Sequence, residues 1–112
     1  MTRSRQERFA DILAAVDRCL EYRPYLDDSE PRVASMAYDA ILRNLGVIGE
    51  AVKSLPEEMT SAMPSVAWAS IAGLRNVVIH EYFRVNPNLI LDIVDSRLLP
   101  LATALRDAAS DV

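Results

Sequence analysis

Hydrophobic positions recur with a helical period along nearly the whole chain. Phe9, Ile12, Leu13, Val16, Cys19 and Leu20 fall at i, i+3, i+4 and i+7, with Arg8, Asp11, Asp17, Arg18 and Glu21 between them. An apolar stripe set against a charged face predicts an amphipathic helix over 4–22, stopped by Pro24. The polar run Asp27-Asp28-Ser29-Glu30 before Pro31 reads as a loop and N-cap with proline in the first turn of the next helix. That second, longer helix carries Val33, Met36, Ala37, Ala40, Ile41, Leu45, Ile48, Ala51 and Val52. It runs through Gly46 and Gly49, each of which costs roughly 0.5–1 kcal/mol relative to alanine in a helix interior. The two glycines therefore predict close approach of another helix.

Ser54-Leu55-Pro56-Glu57 has the spacing of a capping box and predicts a short helical piece over 56–62, ended before Pro64. Ser65 is the expected cap of a third helix over 66–82. Asn86-Pro87 opens a fourth, which Pro100 is expected to kink or divide. Val77-Val78-Ile79 is β-branched but has no hairpin partner at a suitable distance. The expected architecture is all-α: an antiparallel up-and-down bundle of four main helices with short extra helical pieces, in one domain over 1–112. A core of this size leaves much apolar surface uncovered, so a face shared with a second copy would add to stability.

Composition narrows the function classes. The chain has 112 residues, 51% hydrophobic and 25% charged, which suits a packed domain and not a disordered one. The longest apolar stretch, 66–79, is interrupted by Ser70, Arg75 and Asn76, so no membrane span is expected. The apolar segment near the start is broken by Asp11, Asp17 and Arg18 and does not read as a signal-peptide core, so a cytoplasmic location is expected. One Cys and one His exclude an intramolecular disulfide, the usual Cys/His zinc sites and any triad with a second His. No cofactor is expected. With 12 Lys+Arg against 16 Asp+Glu, the net charge of −4 argues against a general nucleic-acid coat and against DNA as a partner. Specific RNA contact through a local arginine cluster remains compatible with it.

The candidate chemistry lies between Trp68 and Phe83. On a continuous helix Arg75 falls within about 20° of Trp68 and Tyr82, so a charged residue interrupts an apolar stripe. Such an arginine pairs with a carboxylate or a phosphate, or reaches into a cleft. Asn76 and His80 are one turn apart and share a face. Together these side chains suit phosphodiester cleavage without a metal: His80 exchanges protons, Arg75 steadies the non-bridging oxygens, and Asn76 orients either group. One His per chain supplies only one proton-transfer group, and a twofold dimer would supply two. The spacing also fits a purely structural reading, in which His80 caps carbonyls and Arg75 pairs with Glu50 or Glu81.

The segments Tyr38 to Ala51, Pro64 to Trp68 and Gly73-Leu-Arg75-Asn76-Val-Val-Ile-His80-Glu-Tyr82-Phe resemble the HepT family of HEPN-domain toxins. The resemblance covers most of the chain and is most specific between Gly46 and Phe83. It implies an all-α homodimer whose shared site carries metal-independent endoribonuclease activity through an Arg-x4-His-x-Tyr motif. Arg75 and His80 match the catalytic pair, Asn76 the polar residue after the arginine, and Tyr82 the motif tyrosine. It also implies a toxin–antitoxin system, type II-like or type VII, with an MntA-like minimal nucleotidyltransferase as antitoxin. That partner would attach AMP from ATP to Tyr82, placing phosphate charge beside the catalytic arginine.

Glu50 matches a recurrent family feature and is a candidate to hold Arg75. Arg84 and Arg97, with Arg3, Arg5 and Arg8, are candidates to line an RNA path. Trp68 reads as packing before base stacking, and Cys19 as a buried small hydrophobe. The rival readings are a catalytically silent HEPN module that binds a nucleotidyltransferase partner or a nucleotide, and a structural adaptor that leaves the charged cluster unused.

Overall fold

Ser4 starts the first helix as the sequence suggests. Its side chain accepts from the Glu7 backbone N–H, while the Glu7 carboxylate accepts from the Ser4 backbone N–H, completing a capping box. The computed structural model describes residues 4–80 and 87–110. Its helices are α1 (Arg5–Tyr22), α2 (Pro31–Lys53), α3 (Glu57–Ser61), α4 (Trp68–Ala72), α5 (Leu74–His80), α6 (Pro87–Ser96) and α7 (Leu98–Ser110), with a 3-10 turn at Arg23–Asp27. Among the described residues there is no strand, and the architecture is the expected all-α, HEPN-like bundle. No described helix is long and apolar enough to cross a membrane.

The core is built from the predicted stripes. Ile12, Val16 and Cys19 of α1 meet Ile41, Leu45 and Ile48 of α2, and Ile71, Ile90, Val94, Leu98, Leu101 and Leu105 complete the same cluster. Full burial of each large aliphatic side chain contributes about 1.5–3 kcal/mol before conformational entropy is counted. α2 is the central element, packing on α1, α4, α5 and the 3-10 turn, while α7 packs on α1 and α6. Arg23 of the 3-10 turn reaches Asp95 of α6 at 2.8 Å and tethers the α1–α2 connection to α6.

Three boundaries differ from expectation. Ser54 does not open a capping box: its hydroxyl donates back to the Ala51 carbonyl at 2.7 Å and closes α2, so α3 begins after Pro56 without a side-chain cap. Ser65 does not cap the third helix either. Val66 is drawn into the core, the Trp68 N–H bonds to the Val66 carbonyl, and the helix starts two residues later than predicted. The predicted continuous third helix is divided at Gly73, the residue with the poorest helix propensity in the segment. The last helix divides as predicted. The break falls at Arg97, and Pro100 sits in the first turn of α7, where its missing N–H is tolerated.

Candidate functional site

α2 carries the site on the side opposite its core stripe. Ile41, Leu45, Ile48 and Val52 are buried, whereas Arg43, Val47 and Glu50 are exposed. A spacing of seven residues puts Arg43 and Glu50 within about 20° of each other around the helix. α5 approaches α2 at Gly49, where a Cβ would lie 2.8 Å from the Arg75 backbone nitrogen and 3.2 Å from the Ile71 carbonyl oxygen. Only glycine allows the two backbones this close. Gly46 has nothing within 4 Å of its would-be Cβ, so the predicted helix contact belongs to Gly49 alone.

The close approach brings the next residue, Glu50, against Arg75. Arg75 Nε lies 2.8 Å from Glu50 Oε2, with the two side chains 44% and 61% exposed. A pair this wet adds at most about 1 kcal/mol to stability. Its larger effect is to fix the direction of the guanidinium, which has five N–H donors and so keeps others for an anion.

α1 forms the opposite wall of an open groove of about 830 Å³. Arg8, Asp11 and Arg18 come from α1, Arg43 and Glu50 from α2, and Arg75 from α5. Arg8 donates to the Ser54 carbonyl at 2.6 Å, while Cys19 Sγ lies 3.9 Å from the Ile41 carbonyl. α1 and α2 are thus antiparallel, with Arg8 at one end of the groove, Arg18 and Arg43 toward the other, and Arg75 between. Four arginines against two carboxylates make this groove positive on a chain whose net charge is −4.

Asn76 is exposed beside Arg75, and the α5 backbone places positions 76 and 80 one turn apart. The His80 side chain, Glu81, Tyr82 and Arg84 lie outside the described residues, as does Arg3. Because the helix divides at Gly73, the angular relation of Arg75 to Trp68 read from one continuous helix does not apply. Trp68 is half-buried against the core and its Nε1 donates to the Met63 carbonyl at 2.8 Å, which makes it a packing residue. Of the other arginines proposed for an RNA path, Arg97 hydrogen-bonds Ser70 Oγ, and Arg5 sits 5.4 Å over the Phe9 ring. Neither lines the groove. Cys19 is fully buried, and burial pushes its thiol up to about 12, which keeps it protonated. Arg18 and Arg43 were not singled out by the sequence, although the seven-residue step from Arg43 to Glu50 is visible there.

The described residues thus form an all-α bundle in which a half-buried arginine, held by a carboxylate, lines a groove with more arginines than carboxylates. Residues 12–108 match the Ribonuclease HepT-like family, and the chain belongs to that family. It is 48% identical over 59 residues to a Methanocaldococcus jannaschii protein named "Putative RNase", covering 53% of this chain and 49% of that one. A second protein so named from the same organism is 33% identical over 84 residues, 75% of this chain and 77% of its own. "Probable ribonuclease HepT" of Thermococcus cleftensis is 28% identical over 90 residues, 80% of this chain and 82% of its own. The chain thus spans about half the length of the first of these relatives. No solved structure matches it.

Proposed function

We propose that this chain is a metal-independent endoribonuclease of toxin type, working as a single domain in a twofold dimer in the cytoplasm. The observation that carries the reading is Arg75, oriented by Glu50 in a groove whose charge opposes that of the chain as a whole. Membership of the Ribonuclease HepT-like family supports it. His80 of one protomer takes the proton from an RNA 2′-hydroxyl. The 2′-oxygen then attacks the adjacent phosphorus, the bond to the 5′-oxygen breaks, and that oxygen takes a proton from His80 of the second protomer. The products are a 2′,3′-cyclic phosphate and a 5′-hydroxyl. Arg75 stabilises the negative charge that builds on the non-bridging oxygens, and Asn76 orients the phosphate or the imidazole.

Neutralisation fits the same reading. A nucleotidyltransferase partner transfers AMP from ATP to the Tyr82 hydroxyl, with pyrophosphate leaving. The added phosphate brings negative charge to the motif that carries Arg75 and so repels RNA. Expression in a bacterial host tests both steps. Growth arrest is expected from the wild-type chain, loss of arrest from His80→Ala, and relief by the partner together with an AMP mass gain on the peptide containing Tyr82. Arrest by His80→Ala equal to wild type contradicts the mechanism.

The Arg75–Glu50 pair is also what a silent binding module would contain, because the guanidinium has a carboxylate partner without RNA. In that reading the wild-type chain causes no arrest and still binds its nucleotidyltransferase.

A further inference from the structure

We propose that Arg18 and Arg43 form a second phosphate-binding subsite, which holds the backbone of single-stranded RNA on one side of the phosphate at Arg75. The inference rests on the ribonuclease reading for the identity of the ligand, and on the groove for its placement.

The four groove arginines are not equivalent. Arg8 is committed to the Ser54 carbonyl at the end of α2, and Arg75 to Glu50. Arg18 and Arg43 are exposed and have neither an ion pair nor a hydrogen bond among the described residues. An exposed arginine without a partner is ordinary when alone. Two of them, from different helices and lining one groove with a third that is oriented, repeat positive charge along a track. The seven residues from Arg43 to Glu50 correspond to a rise of about 10 Å along α2. That offset separates the subsite from Arg75, so a different phosphate of the same strand must occupy it.

The chemistry selects a flexible polyanion. Arginine forks bind phosphate oxygens in pairs and read no base, so the subsite positions the strand without choosing its sequence. The apolar neighbours support the same occupant, because exposed Val47 and Ile79 line the same groove and offer surface to unstacked bases. A rigid duplex would place its phosphates on a convex cylinder, whereas a single strand can follow the floor of a groove.

The test uses the full chain and an uncleavable 2′-O-methyl oligoribonucleotide of roughly 12 nucleotides. Binding is followed by fluorescence anisotropy across a salt series. The Arg18→Gln/Arg43→Gln variant is expected to bind about tenfold more weakly near 0.1 M salt, with a log–log salt slope shallower by about 1.4, the loss of two single-strand phosphate contacts. Arg18→Lys/Arg43→Lys is expected to recover most of that slope, since the charge returns. With cleavable RNA the Gln variant should raise KM and leave kcat unchanged.

Affinity and slope equal to wild type overturn the proposal, as does failure of the wild-type chain to bind the oligonucleotide. A change in oligomeric state on Arg18→Gln/Arg43→Gln with unchanged RNA affinity also overturns it, assigning the groove to a second copy of the chain. Cleavage by the wild-type chain with no dependence on these arginines leaves the nuclease reading intact and removes the subsite. Binding that depends on them without any cleavage keeps the subsite and removes the nuclease.

Discussion

Arg75 and Glu50 show why one residue's surroundings decide what it can do. The pair is too exposed to matter much for stability, yet it fixes where the guanidinium points. Glu50→Gln is therefore expected to move the thermal midpoint by only a few degrees, because about 1 kcal/mol is at stake. The same variant should lower kcat about tenfold with little change in KM, a loss of about 1.4 kcal/mol of transition-state stabilisation. A purely structural pair would leave kcat unchanged. Cys19 gives the opposite case. Its thiol is fully buried and pushed up to about 12, so iodoacetamide near pH 8 should leave it unmodified in the native chain and label it after unfolding. Labelling of the native chain at the rate of a free thiol would contradict that burial.

At the scale of elements, the two glycines of α2 separate cleanly. Gly46 has open space where a Cβ would go, so Gly46→Ala should stabilise by roughly 0.5–1 kcal/mol through helix propensity. Gly49→Ala places a Cβ against the Arg75 backbone and must push α5 away from α2. The expected result is a net loss of about 1–3 kcal/mol and lower activity, measured by chemical denaturation and RNA cleavage on the same samples. The cost of two glycines inside α2 anticipated this helix contact but not which glycine made it, because residue type alone does not say where a neighbour's backbone passes. The same limit explains the other differences. Apolar spacing located α1 and α2 through their core stripes, since burial dominates there, and the prolines at 87 and 100 marked the divided pair α6 and α7. The joints at Ser54, Ser65 and Gly73 were decided by competing local hydrogen bonds and by where Val66 packs. Arg75 and Glu50 were visible in the sequence together with their pairing, one of the two carboxylate partners open to Arg75 there. The groove was not, because Arg18 and Arg43 meet only once α1 and α2 fold against each other.

At the scale of the whole molecule, four arginines gather in one groove of an acidic chain, and tertiary ion pairs form both within that groove and outside it. Arg23 reaches both carboxylate oxygens of Asp95, and that hydrogen bonding holds the Asp95 carboxyl below its ordinary value. A lowered folded-state pKa means the contribution is present above the ordinary carboxylate range and lost as pH falls through the lowered value. Wild type should exceed Asp95→Asn by about 1 kcal/mol or less near neutral pH, after allowance for exposure, and the difference should close in acid. Equal stability of the two at neutral pH would remove this tether from the account. The central claim concerns the basic groove itself. The most direct measurement is RNA cleavage by purified chain in EDTA, comparing wild type with Arg75→Ala and His80→Ala and identifying the product ends. The account predicts cleavage by wild type alone, with 2′,3′-cyclic phosphate ends. Cleavage that persists in both variants, or none by wild type with Tyr82 shown by intact mass to be unmodified, would contradict it.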